Sequence, residues 1–75
     1  MIDRNIFAER LKQLVSKASI TMVDVAKLLN ISKQSVHQWT MAKTVPASDN
    51  LVALADYFDV SLDYLVGRSD DPERR

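Results

Sequence analysis

The chain has 75 residues, 47% of them hydrophobic, with one Gly, two Pro and no Cys. A chain this short makes a single domain, which buries only about 60% of its unfolded surface and must pack efficiently to be stable; without cysteines it has neither a disulfide framework nor a thiolate zinc site. The formal net charge is zero, which on its face argues against a polyanionic partner.

The first predicted element runs from Ile6 to about Lys17, where Phe7, Leu11, Leu14 and Val15 recur at helical spacing. Ala18–Thr21 connects it to a second helix that ends near Leu29; Thr21 is a good N-cap, and Asp24, three residues on, stands in for the Glu or Gln of a capping box. Asn30 falls where a left-handed residue is needed, and Asn tolerates that conformation better than most residues with a side chain. Ser32 caps a third helix from Lys33 to about Thr40, and Met41–Val45 is a loop leading to Pro46. A fourth helix begins at or near Ser48 with a stripe of Leu51, Leu54, Ala55 and Phe58. Asp59-Val60 breaks it, Ser61 caps a short fifth helix, Leu62–Val66, and Gly67 ends that helix. Residues 68–75, with Asp-Asp-Pro among them, form a flexible polar tail. The expected fold class is all-α, with five helices and no sheet.

Thr21–Trp39 carries the functional signal. Val25, Ala26 and Leu29 put apolar groups on one face of the second helix, Val36 and Trp39 do so on the third, and Ile31 lies between them. Ala26 is small where the helices must cross closely. What remains exposed on the third helix is Lys33, Gln34, Ser35, His37 and Gln38, groups of the kind that match base edges and phosphates. These features describe a helix-turn-helix whose second helix enters a DNA major groove. Charge distribution agrees where net charge does not. Through Lys43 there are seven cations against three anions, a net of +4, and from Thr44 onward three cations against seven anions, a net of −4. The positive half contains the recognition helix, so its local field would steer it.

Residues Phe7 to Gly67 resemble the Cro/CI-type, or XRE-like, helix-turn-helix regulators. The resemblance rests on Arg10-Leu11-Lys12, on the spacing Ala26…Leu29…Ile31-Ser32…Val36…Trp39, on Pro46 and Leu51…Leu54-Ala55, and on the closing run Val60–Gly67. It implies a five-helix, lambda-repressor-like DNA-binding domain over residues 1–67, with the helix-turn-helix at about 22–40. It also implies a bacterial or phage-encoded, cytoplasmic, nucleoid-associated protein that binds an inverted-repeat operator in double-stranded DNA, commonly as a homodimer. Carried over by position, base reading falls on Lys33, Gln34, Ser35 and Gln38, and phosphate contact on Thr21, Met22, Lys43 and Thr44. His37 lies at the edge of that surface. Met22 stands where many relatives have a phosphate-clamping Gln, and Asn30 where Gly is common. Ala42 replaces the Gly usual after the third helix, which leaves the shape of the loop before Lys43 and Thr44 open.

Other chemistries fit less well. In an isolated helix Lys33, Gln34 and Gln38 would be a solvated face; the small-residue crossing and short turn shift the balance to DNA. His37 is the only histidine, with no carboxylate at i+4 on its face, so no metal site is expected. Trp39, by its spacing from Val36 and Ile31, belongs to the core rather than to a stacking platform. So small a bundle can hardly enclose a pocket of ~300 Å3, and no triad is evident around the single His, so an enzyme is not expected, nor is a cofactor or small-molecule effector. No apolar run approaches the roughly 20 residues of a membrane span, and Met1–Asn5 lacks the apolar core of a signal peptide. The leading function is a transcriptional regulator, most simply a repressor acting by operator occupancy. An antitoxin-like regulator and a protein-interaction module that has lost DNA binding are the alternatives. Leu62, Tyr64 and Val66, flanking the fifth helix, are the expected homodimer surface.

Overall fold

The structure is a computed structural model that describes residues 2–74; Met1 and Arg75, the outermost residues of the expected domain and tail, lie outside it. The described residues form five helices and no strand: α1 (Arg4–Lys17), α2 (Met22–Leu29), α3 (Lys33–Thr40), α4 (Ser48–Phe58) and α5 (Leu62–Leu65).

Helix starts follow side-chain caps. The Asp3 carboxylate accepts from the N–H groups of Asn5 and Ile6, at 3.0 and 3.1 Å, so α1 begins two residues before its apolar periodicity does. At α2 the capping box is complete: Thr21 Oγ1 accepts from the Asp24 N–H at 3.2 Å, and Asp24 Oδ2 accepts from the Thr21 N–H at 2.9 Å. Ser32 and Ser61 accept from the N–H groups of Ser35 and Tyr64. Ala47 precedes α4 and supplies no side-chain cap.

The helix ends share one device. After each last turn a residue takes positive φ: Ser19 (58°), Asn30 (55°), Ala42 (59°), Asp59 (55°) and Gly67 (87°). In every case the next residue donates its N–H to a carbonyl five residues back, as Ile20 to Val15, Ile31 to Ala26, Lys43 to Gln38, Val60 to Ala55 and Arg68 to Asp63. This is the Schellman arrangement, which satisfies carbonyls left over at a helix C-terminus. With one glycine in the chain, four of the five left-handed positions are filled by residues with a Cβ. Asn and Asp tolerate that conformation; Ser and Ala do so at a cost of about 1–2 kcal/mol.

Phe7, Leu11 and Val15 of α1 meet Val25 and Ala26 of α2, Val36 and Trp39 of α3, Leu51, Leu54 and Ala55 of α4, and Leu65 in one core. α2 packs on α3 and α4 on α5, while α1 touches both pairs and joins them. Trp39, 4% exposed, packs edge-on against Phe7 with ring centroids 6.3 Å apart at 72°, which fixes the inner face of α3 on α1.

One expectation needs revision. Val66 offers a partner almost no surface: it is 5% exposed and belongs to the core. The reason is that α5 is a single turn, after which the chain bends inward; the Val66 carbonyl there accepts from the Asp3 N–H at 3.2 Å. Leu62, by contrast, is 41% exposed, and Tyr64 is half-buried. The polar segment after Gly67, for its part, folds back along the bundle. The partly buried Arg10 guanidinium donates to the carbonyls of Tyr64 and Ser69, pairs with Asp70 at 2.9 Å and lies 4.1 Å over the Tyr64 ring. The Ser61 N–H donates to the Pro72 carbonyl at 2.9 Å, and Arg74 pairs with Asp56 at 2.6 Å.

Candidate nucleic-acid interface

Burial sorts α3 into two sides. Val36 and Trp39 enter the core; Lys33, Gln34 and His37 are exposed; Ser35 and Gln38 are half-buried. Gln34, Gln38 and the 50% exposed Met41 follow at i, i+4 and i+7, so they share an outward stripe with Lys33 and His37 beside it. Ser35 differs from its neighbours: its hydroxyl lies 3.0 Å from Ser32 Oγ and its N–H donates to the same oxygen, so it is engaged in the cap of its own helix. Lys33 and Gln34, with long side chains at the exposed first turn, have the wider reach.

The turn that holds α3 is short and fully bonded. Asn30 takes the left-handed conformation, Ile31 donates to the Ala26 carbonyl at 3.0 Å, and Ser32 starts the next helix. Ala26, 2% exposed, lies at the contact between α2 and α3. The orientation of the outward stripe is therefore fixed by core packing on one side and backbone bonds at the turn.

The two ends of the helix-turn-helix differ. At the start of α2, Thr21 is exposed, but its N–H and hydroxyl both donate to Asp24 Oδ2, at 2.9 and 3.1 Å. The hydrogen bonds from the Thr21 backbone and side chain, with a smaller contribution from the Lys27 charge, lower the Asp24 carboxyl below the ordinary aspartate range. A phosphate approaching this end would meet an ionised carboxylate. Met22 is half-buried with its side chain packed at the edge of the core, so only its backbone faces this position. At the other end, Lys43 and Thr44 are exposed. Ala42 takes the positive φ that a glycine would take, with Lys43 donating to the Gln38 carbonyl at 3.1 Å, so the loop keeps a tight Schellman turn despite its Cβ.

Two groups beside this surface escaped the sequence reading. Met41 looked like the first loop residue, although i+7 from Gln34 would have put it on the outward stripe. Arg4 donates to the Lys43 carbonyl at 3.1 Å across 39 residues, for which the sequence holds no signal. Among the described residues no group of three or more His, Cys, Asp or Glu side chains could hold a metal, and no helix is long and apolar enough to cross a membrane.

The helix-turn-helix family profile matches residues 11–65, most of the chain, from the second half of α1 to the end of α5. The chain belongs to the Cro/CI-type helix-turn-helix family. It is 37% identical over 67 residues to the uncharacterized HTH-type transcriptional regulator YobD of Bacillus subtilis, covering 89% of this chain and 60% of that protein. This chain thus spans less than two thirds of that relative's length. Among solved structures it is similar to a transcriptional regulator from Listeria innocua, with a TM-score of 0.77 and 36% identity over 81% of this chain and 57% of that one. It is similar also to the P22 c2 repressor protein, solved in complex with synthetic operator 9T in the presence of Tl+, with a TM-score of 0.77 and 28% identity over 85% of this chain and 97% of that one. The fold is thus the lambda- and P22-repressor type.

Proposed function

We propose that this protein is a transcriptional regulator that reads double-stranded DNA with α3 and represses by occupying its operator. One observation carries this reading: an outward stripe of exposed Lys33, Gln34 and His37 with half-buried Gln38, on a helix held from behind by Val36 and Trp39. A rigid helix with amides and a cation on its outer side suits the major groove, where Gln bonds adenine in bidentate fashion and Lys reaches guanine. Similarity to a repressor solved with its operator supports the same reading. Base reading is assigned chiefly to Gln34, Lys33 and Gln38, with Ser35 in a lesser role because its hydroxyl serves the cap. Phosphate contact is assigned to Lys43, Thr44 and the backbone at Met22, with Thr21 weakened by its bonds to Asp24. His37 borders the contact.

One recognition helix covers few base pairs, and a two-fold dimer on an inverted repeat reads both half-sites, about 34–36 Å apart. The pairing surface is assigned to exposed Leu62 and Val52, which line one shallow groove with Ile2, Ser48, Arg68 and the small exposed parts of Leu51 and Val66. Tyr64 has a lesser part, since Arg10 covers one face of its ring.

The test is selection of bound sequences from random duplex DNA, then footprinting and a reporter carrying the selected site. Enrichment of an inverted repeat, two protected patches with dyad symmetry and lower reporter output are expected. Failure to enrich any sequence would reject base reading, a single asymmetric patch would reject the dimer, and raised output would make the protein an activator.

A further inference from the structure

We infer that Arg4, at the start of α1, is a second phosphate-binding cation that works with Lys43 at one end of the recognition helix. The inference rests on the duplex-binding reading and adds to it a group from the opposite end of the chain.

The peptide of Lys43 is held from two directions. Its N–H donates to the Gln38 carbonyl, which ties it to α3, and its carbonyl accepts from Arg4 Nη1 at 3.1 Å, which ties it to α1. Arg4 and Lys43 are both exposed. The guanidinium is therefore a hydrogen bond away from the backbone of the loop assigned to phosphate. A guanidinium has five N–H donors in a planar fork, and the contact with Lys43 takes one of them. It keeps its charge at any ordinary pH, is weakly hydrated and matches phosphate oxygens two at a time. The first amides of α1 do not compete for the anion, because Asn5 and Ile6 already donate to the Asp3 carboxylate. A phosphate drawn to this loop thus meets a flexible ammonium from Lys43 and a guanidinium braced on the loop by its own hydrogen bond.

Each phosphate neutralised by a cation contributes about 0.9 to the slope of log K against log salt. The whole chain and its Arg4→Ala, Arg4→Lys and Lys43→Ala variants are compared by fluorescence anisotropy on a labelled random-sequence duplex from 50 to 200 mM salt, with thermal melting of each. Arg4→Ala is expected to reduce the slope by about one unit per protomer, so that the affinity lost over this fourfold rise in salt is about 3–4-fold smaller than for the parent. Arg4→Lys restores the slope, because charge is kept, and both variants melt near the parent. An unchanged slope in Arg4→Ala overturns the inference, and weaker binding with an unchanged slope shows Arg4 to be a brace of the loop alone. These results leave the duplex-binding reading intact. A parent protein without salt-dependent duplex binding overturns that reading and this one together.

Discussion

Replacing Ala42 with glycine should stabilise the domain. Ala42 sits at φ 59°, where its Cβ crowds the following carbonyl, and the turn cannot relax without breaking two bonds of 3.1 Å, from Ala42 N–H to Trp39 and from Lys43 N–H to Gln38. Removing the Cβ relieves about 1–2 kcal/mol, while the freer unfolded chain takes back about 0.4–1 kcal/mol. The net gain lies between about 0 and 1.6 kcal/mol and centres on about 0.8; since a domain of this size shifts by about 4–8 °C per kcal/mol, the central expectation is a rise in melting temperature of roughly 3–6 °C. Circular dichroism melts of Ala42→Gly against the parent measure it, and two further variants bracket the cause. Asn30→Gly should gain less, because Asn already tolerates its φ of 55°. Gly67→Ala should lose stability, since its φ is 87° and a Cβ there would meet Ile6 side-chain atoms at 3.1–3.3 Å. An Ala42→Gly protein that melts clearly below the parent temperature would refute the left-handed turn, and with it the placement of Lys43.

Gln34→Ala should cost about 1–3 kcal/mol on the selected site and leave random-sequence binding nearly unchanged, as read by competition anisotropy; equal losses on both would remove Gln34 from base reading. Trp39→Ala should unfold or nearly unfold the chain, since truncating so buried an aromatic costs about 3–5 kcal/mol, and a melt like the parent's would contradict its place against Phe7. Leu62→Asp should weaken assembly on the inverted repeat at unchanged melting temperature, whereas Val66→Asp should unfold the protein, being buried; sedimentation and melting separate the two. Because the folded state holds the Asp24 carboxyl below its ordinary value of 3.8, its contribution is present above that pH and is lost as the pH falls through the lowered value. Asp24→Asn should therefore lower the melting temperature at pH 7, with the difference narrowing below about pH 3.8; a gap that widens in acid would reverse the assignment.

What the sequence made legible was local chemistry with a fixed offset. Thr21 with Asp24, Ser32 before Lys33, and Ser61 before α5 announce helix starts because a side-chain oxygen reaches an amide two or three residues on. Asn30 announces the turn for a similar reason. The outward position of Gln34 and the inward one of Trp39 follow from helical geometry. Asp3 was missed because the polar run Asp3-Arg4-Asn5 gives no apolar period, even though its carboxylate caps α1. Val66 was misassigned because a one-turn helix has too few residues to define a face. Ala42 gives no sign of its positive φ by its own residue type, since alanine ordinarily marks helix; only the Gly usual at that position in the family points to it. Arg10, which joins residues 59 and 60 positions away, and Arg4 make contacts that only the assembled fold brings about.

α5 contains four residues, far too few to hold helical shape by itself. It persists because α4 packs on it and α1 grips it: Asp3 bonds Val66, Arg10 bonds Tyr64, and Ile6 lies against Gly67. The first and last helices are thus joined by one set of contacts, and α5 cannot peel away without breaking its bonds to α1. Amide exchange in Leu65 and Val66 should accordingly keep pace with exchange in α1, as one cooperative opening. The surface that carries Leu62 exists only while this seam is closed, so a chain caught before its ends have met has no such surface to offer another copy.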